Sequence, residues 1–270
     1  MIGTKFLKNF FVGGLLFFTA QITLRAEMRV ETSPSGKSRA YVISGNITKG
    51  DYEEFIKLVI KERATAVRLN SRGGDLETAL QIGVEVKNLG LSTVVKENDV
   101  CASACFFIWA NGSMRFAATR DKGTREQNIG LHRPYLSSPM SNELSLDRQR
   151  QEQIRIGRVL EGMLIPKRLS DIMMSRPSNE IYWISESDLK EIGEHPPEIE
   201  ELLINKCDYK RGAWDHESYV RYKLMDTQRA DTLQAELFKV EACTGDILGD
   251  RLFELRRKFL TQKQDIRKRP

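Results

Sequence analysis

A chain of 270 residues with 40% hydrophobic content can bury one sizeable core with an appendage, which excludes disorder, a collagen-like fibre and an array of several large domains. The formal charge of +5 sits at the ends: the first 26 residues hold three basic side chains and no acid, the last fifteen hold seven against Asp265, and residues 27–255 carry 32 basic and 36 acidic side chains, a net −4. A slightly acidic body lacks the basic groove that tracks phosphates, so nucleic acid is set aside as a partner.

The opening MIGTKFLKN is cationic, residues 10–20 form an apolar run, and the segment ends on the small Ala26. This is the pattern of a secretory leader over residues 1–26. The apolar stretch reaches at most Leu24 before Arg25 interrupts it, short of the ~20 residues that span a bilayer. Cleavage near Ala26 is the preferred reading, with cleavage after Ala20 or retention as an inner-membrane anchor as alternatives. In each case the body is exported, periplasmic or secreted.

From Ser38 the pattern alternates. Residues 38–47 read as a strand ended by Gly45-Asn46, and residues 50–62 as a helix with Phe55, Leu58 and Val59 at helical spacing. TAVRLN (65–70) is a strand broken by SRGG, and residues 75–90 form a second helix whose Leu76, Ala79, Leu80, Gly83 and Val86 face one way, closed by Gly90. LSTVVKEN (91–98) is a strand, residues 101–112 run into a short buried helix, and residues 113–119 and 128–134 are further strands. Residues 141–175 predict a long helix and a second after Pro166, residues 180–185 a brief strand, and residues 186–193 a short helix stopped by Gly193. Strands alternating with helices imply an α/β fold with a mostly parallel sheet. The His195-Pro196-Pro197 stretch marks the boundary between an α/β domain (27–197) and a charged helical extension with a basic tail (198–270).

Export gives the four cysteines a meaning, because thiols in an oxidising compartment tend to pair. Cys101, Cys105, Cys207 and Cys243 allow three pairings, and sequence alone does not choose among them. The expectation is Cys101 with Cys105, at a spacing that suits a disulfide if a helix starts between them, and Cys207 with Cys243 across the C-terminal helices; buried thiols at 101 and 105 are the alternative. No second close Cys or His pair completes a zinc site, so neither metal nor cofactor is expected.

Three segments could converge on one site. LNSRGGD puts Gly73 and Gly74 between a strand end and a helix start, where backbone N–H groups lack partners and can hold an anion. In NDVCASACFFIWANG, Ser103 stands where a strand meets an apolar helix: either an N-cap, or a nucleophile whose neighbouring amide, Ala104, is an oxyanion donor. NIGLHRPY carries His132, the only histidine inside the α/β body, since His195 lies at its boundary and His216 beyond it.

The order strand, N-S-x-G-G, helix, strand, Ser with small neighbours opening an apolar helix, strand, I-x-L-H-x-P, long helix and aromatic-S-x-x-(D/E)-L-x-x-x-G resembles the proteolytic subunit of Clp protease and, more broadly, the ClpP/crotonase superfamily, which includes signal peptide peptidases. The resemblance runs collinearly from about Gly45 to Gly193. It implies stacked ββα units, a Ser103 nucleophile, a His132 base, an oxyanion hole drawn from Gly73, Gly74 and Ala104, a peptide or unfolded-protein substrate, and a homo-oligomer. Two positions depart from the family: Cys105 replaces a glycine, and Ile181 stands where the acidic third member belongs. Ile181 is expected to face the core, with Glu180 or Asn179 orienting the imidazole instead.

The functional expectation is an exported, ATP-independent serine peptidase, with a catalytically inactive Clp-like peptide-binding module as the alternative. Acyl-CoA chemistry is disfavoured because coenzyme A belongs to the cytoplasm. The basic tail is expected to be solvated or to rest on anionic lipid headgroups.

Overall fold

The computed structural model describes residues 25–36, 38–121, 126–134, 143–177, 179–210 and 227–268. The leader's first 24 residues lie outside them. The fold is α/β, the class expected of the sequence.

A five-stranded sheet has the order β1-β2-β3-β4-β6, with β1 (Glu27–Thr32) antiparallel to β2 (Arg39–Ser44) and β3 (Ala66–Asn70), β4 (Ser92–Val95) and β6 (Arg115–Ala117) all parallel to it. A smaller sheet centres on β8 (Glu126–Leu131), which pairs in parallel with β5 (Cys101–Ala102) and antiparallel with β7 (Thr119–Asp121) and β9 (Tyr182–Ser185). The helices are α1 (Asp51–Lys61), α2 (Leu76–Leu89), α3 (Ala104–Trp109), α4 (Glu143–Gly162), α5 (Lys167–Ser175), α6 (Glu186–Ile192), α7 (Pro197–Cys207) and α8 (Thr227–Lys268).

Local chemistry explains the element ends. The α2 helix starts where the Asp75 carboxylate accepts from Thr78 N–H and stops where Gly90 turns left-handed at φ 66°. Its Ala79, Gly83 and Val86 are buried as the periodicity requires, whereas Leu76 and Leu80 are half-buried. Gly83 earns its place by proximity: a methyl there would lie 2.7 Å from the Phe107 carbonyl, so α2 and α3 approach closely only because it is absent.

Arg25 and Ala26, the last residues of the expected leader, make contacts with the body of the fold. Ala26 is buried in the core, and Arg25 bridges to Asn46 and donates from Nε to Asp51 at 2.5 Å. Asp51 is fully buried and also accepts from Thr48 N–H at 2.7 Å, so Arg25 supplies the cation to an enclosed carboxylate.

The C-terminal helix α8 closes the core from the far end of the sequence. Phe259 lies in the same hydrophobic cluster as Tyr41, Phe55 and Trp109. Arg256 donates to the Tyr41 hydroxyl at 2.9 Å and to the carbonyls of Val59 and Glu62 at 2.6 and 2.7 Å, covering orphan carbonyls at the end of α1. Arg256 is therefore a clamp and not part of a free cationic tail. Farther along α8 toward its start, Cys243 is bonded to Cys207 at the end of α7. Ile199 and Leu203 pack with these cysteines as a satellite cluster.

His195, at the expected boundary, is buried. Its Nδ1–H donates to the Ser113 carbonyl at 2.7 Å and its ring meets Tyr209 edge-on. Burial is the main cause that pushes its pKa below the ordinary value.

Candidate active site

Strand β3 ends at Asn70, and the chain then has to turn tightly into α2. Ser71 is buried and its Oγ accepts from Gly73 N–H at 3.1 Å. Gly73 and Gly74 take φ values of 108° and 135°, a backbone that side chains rarely adopt. The Gly73 carbonyl accepts from Ile47 N–H at 2.8 Å, and Asp75 N–H donates back to the Ile47 carbonyl at 2.8 Å, which holds the loop after β2 along the turn. With Gly73 N–H committed to Ser71, the amide left open on this turn is that of Gly74. Gly74 is exposed toward the cleft, and among the described residues its N–H has no protein acceptor.

Against this turn stands the junction of β5 and α3. Strand β5 is held between Ser71, whose carbonyl accepts from Ala102 N–H at 3.0 Å, and Gly130, whose carbonyl accepts from Ser103 N–H at 3.0 Å. The loop leading into it is fixed by Arg68, which grips Asp99 through Nε and Nη2 at 2.7 and 2.8 Å and Glu31 through Nη1 at 2.6 Å. A fork of this kind is a strong form of ion pairing, and the Asp99 hydrogen bond heads the causes that raise the Arg68 pKa. A rigid frame thus surrounds a short strand.

Ser103 then adopts φ 56° and ψ −126°, and its side chain makes no capping hydrogen bond to α3. The N-cap alternative requires an extended backbone and an accepted N–H, and neither is present. A serine at positive φ between a strand and a helix has the geometry of a nucleophile elbow, which presents Oγ outward. The following amide, Ala104, is the first of the helix and by position has no intrahelical acceptor. Gly73 is what lets the two turns meet: a methyl on it would lie 2.7 Å from Ser103 Cβ and 3.0 Å from Ala104 N. The Cys101–Cys105 disulfide brackets the elbow, both cysteines being fully buried.

His132 follows β8 and is 8% exposed. Its Nδ1 lies 3.0 Å from the Arg133 carbonyl, so in the tautomer protonated there it donates to the backbone and the ring lone pair is on Nε2. Ser103, Ala104, Gly74 and His132 line one cleft of about 480 Å³. The cleft is also lined by Asn46, Thr48, Lys49 and Arg72, residues the sequence reading did not single out. Only their position next to a glycine turn hinted at such a role.

The expected orienters are placed elsewhere. Glu180 is exposed and its carboxylate lies 3.5 Å from Arg176, and Asn179 is exposed on the turn before β9. Neither lines the cleft. Ile181 is 36% exposed instead of core-facing. The reason is register: Leu131 pairs with Tyr182, which sets Ile181 just past the paired segment, over Gly130, where a methyl would lie 2.6 Å from Ile181 Cγ2.

No family model matches the sequence, and no curated protein matches it. Among solved structures the chain is similar to ClpP1 from Listeria monocytogenes, with 16% identity, 58% of this chain and 88% of that chain covered, and a TM-score of 0.41. It is similar at the same identity and TM-score of 0.41 to a mutant of the 1510-N membrane-bound stomatin-specific protease, over 64% of this chain and 84% of that one. The roles assigned below rest on this chain's own geometry.

Proposed function

We propose that this chain is an exported serine hydrolase, an ATP-independent peptidase acting on peptides or unfolded protein. The observation that carries the reading is Ser103, at φ 56° with no capping bond, on the wall of a cleft shared with a histidine and two amides that have no acceptor among the described residues. Strain of this type costs on the order of 1–3 kcal/mol and persists where the surroundings impose it for a purpose.

The chemistry follows from the roles. Ser103 Oγ forms a bond to the substrate carbonyl carbon as His132 Nε2 takes its proton. The oxyanion settles between the N–H groups of Gly74 and Ala104, donors that need no reorganisation. Collapse breaks the C–N bond, His132 returns the proton to the leaving amine, and water, deprotonated by the same imidazole, releases the acyl group from Ser103. The Arg133 carbonyl takes the orienting role first given to Glu180 or Asn179. It fixes the tautomer but stabilises an imidazolium less than a carboxylate would, so turnover is slow relative to a full triad.

The reading includes a leader or anchor over residues 1–26, and the two disulfides support an oxidising compartment. The reading includes a homo-oligomer, tested by light scattering, and contact of the tail beyond Arg256 with a membrane surface, tested by vesicle co-sedimentation.

A fluorophosphonate probe tests the core of the proposal. Labelling of the wild type that is lost in Ser103→Ala supports the enzyme. The second reading, an inactive peptide-binding module, is favoured by Ile181 standing where an acid would orient the imidazole; a wild type that never labels establishes that reading instead.

A further inference from the structure

The cleft that holds Ser103 carries more charge than its chemistry uses. Lys49, on the loop after β2, and Arg72, on the turn after β3, both line it and both are exposed. Among the described residues neither has an ion pair or side-chain hydrogen bond, in a chain where Arg25, Arg39, Arg68 and Arg155 are all engaged. The acid on the same wall, Asp75, is occupied as the cap of α2, accepting from Thr78 N–H at 2.9 Å. Asp75 keeps its charge but is turned to the helix cap, so Lys49 and Arg72 leave a net excess of one positive charge on the wall beside Ser103 and the amides that would hold an oxyanion.

We propose that Lys49 and Arg72 form an acid-selecting subsite, so that this site takes peptides carrying Asp or Glu next to the bond presented to Ser103. The inference rests on the peptidase reading for its orientation, but the charge preference is a property of the cleft. A cleft with an excess of one sign of charge concentrates the opposite sign and repels the same sign. Arg72 lies one residue before Gly73 and two before Gly74, so an acidic side chain held there sits within a residue or two of a carbonyl at the Gly74 amide. A basic substrate would bring like charges together on both sides of the cleft.

The test uses the full-length chain with Ser103→Ala, which cannot turn over, and fluorescent peptides of one length whose central residues are Glu, Ala or Lys. Anisotropy is expected to rank them acidic, neutral, basic, with about a tenfold span between extremes at low salt that shrinks as salt rises. Adding Lys49→Glu and Arg72→Glu should invert the ranking. Both side chains are exposed, so an unchanged melting midpoint shows that the fold is retained. Equal affinities, no binding of any peptide, or an unchanged ranking in the double reversal overturns the proposal. The two readings fail separately. A chain that binds with the acidic ranking but never labels with fluorophosphonate loses the peptidase reading alone, and one that labels and hydrolyses without charge preference loses the subsite alone.

Discussion

Replacing Ser103 by glycine should make the protein more stable than the wild type. At φ 56° and ψ −126°, a residue with a Cβ carries about 1–3 kcal/mol of backbone strain that glycine does not. Glycine gives back about 0.4–1 kcal/mol through the greater freedom of its unfolded chain. The net expectation is a gain of roughly 1 kcal/mol, and Ser103→Ala, which keeps the strain, should stay within about 0.5 kcal/mol of wild type. An N-cap serine behaves in the opposite sense: glycine then costs a few tenths of a kcal/mol and alanine about 1. The sign of the glycine change relative to wild type therefore separates the two roles. Urea denaturation measures it directly, and a thermal midpoint rising by about 2–4 °C is the corresponding shift. A glycine variant less stable than wild type, with alanine lower still, would remove the strained elbow and with it the main support for a nucleophile at this position.

Arg256→Met should cost about 2–3 kcal/mol, because it removes charge-assisted hydrogen bonds to Tyr41, Val59 and Glu62 while keeping the length of the side chain; hydrogen exchange should show α8 opening before the body, and unchanged protection along α8 would contradict the clamp. His195 is held neutral below its ordinary pKa of 6.5 by burial. As pH falls through that value the unfolded chain takes up a proton that the folded one refuses, so stability drops until the lowered folded pKa is reached. His195→Asn should flatten that part of the denaturation profile, and an unaltered slope would contradict it. Processing of the leader should occur upstream of Arg25, since removal of residues 1–26 would leave Asp51 buried without its cation; N-terminal sequencing that begins at Glu27 would refute this.

The parts of the fold legible in the sequence are those where hydrophobic period and turn chemistry agree. Phe55 and Val59 in α1, the Asp75 cap and the Gly90 stop all state their structure locally. Strand β1 escaped because EMRVET is a half-exposed edge strand beside the leader, with no unbroken apolar signal. The orienting groups escaped for a different reason. Whether Ile181 faces inward depends on the pairing of β8 with β9, a register that no window of sequence records. The same holds for Ser103: the string CASAC shows small residues, but the backbone here is held by the carbonyls of Ser71, on the turn after β3, and Gly130 in β8, which accept from Ala102 and Ser103 N–H. Arg256 read as one more charge in a basic tail because its acceptors are backbone carbonyls of α1, groups that every residue has.

The clamp also bears on how the protein is made. Arg256 and Tyr41 are 215 positions apart, and at about 5–20 residues per second roughly 10–40 s of synthesis separate them. Throughout that interval the end of α1 stays uncovered and the core lacks Phe259, so the body is assembled but not locked. Contacts this distant in sequence also make the final step of folding slow. A chain whose last helix supplies these contacts remains pliable for nearly all of its synthesis, and a chain that stops short of Arg256 lacks them.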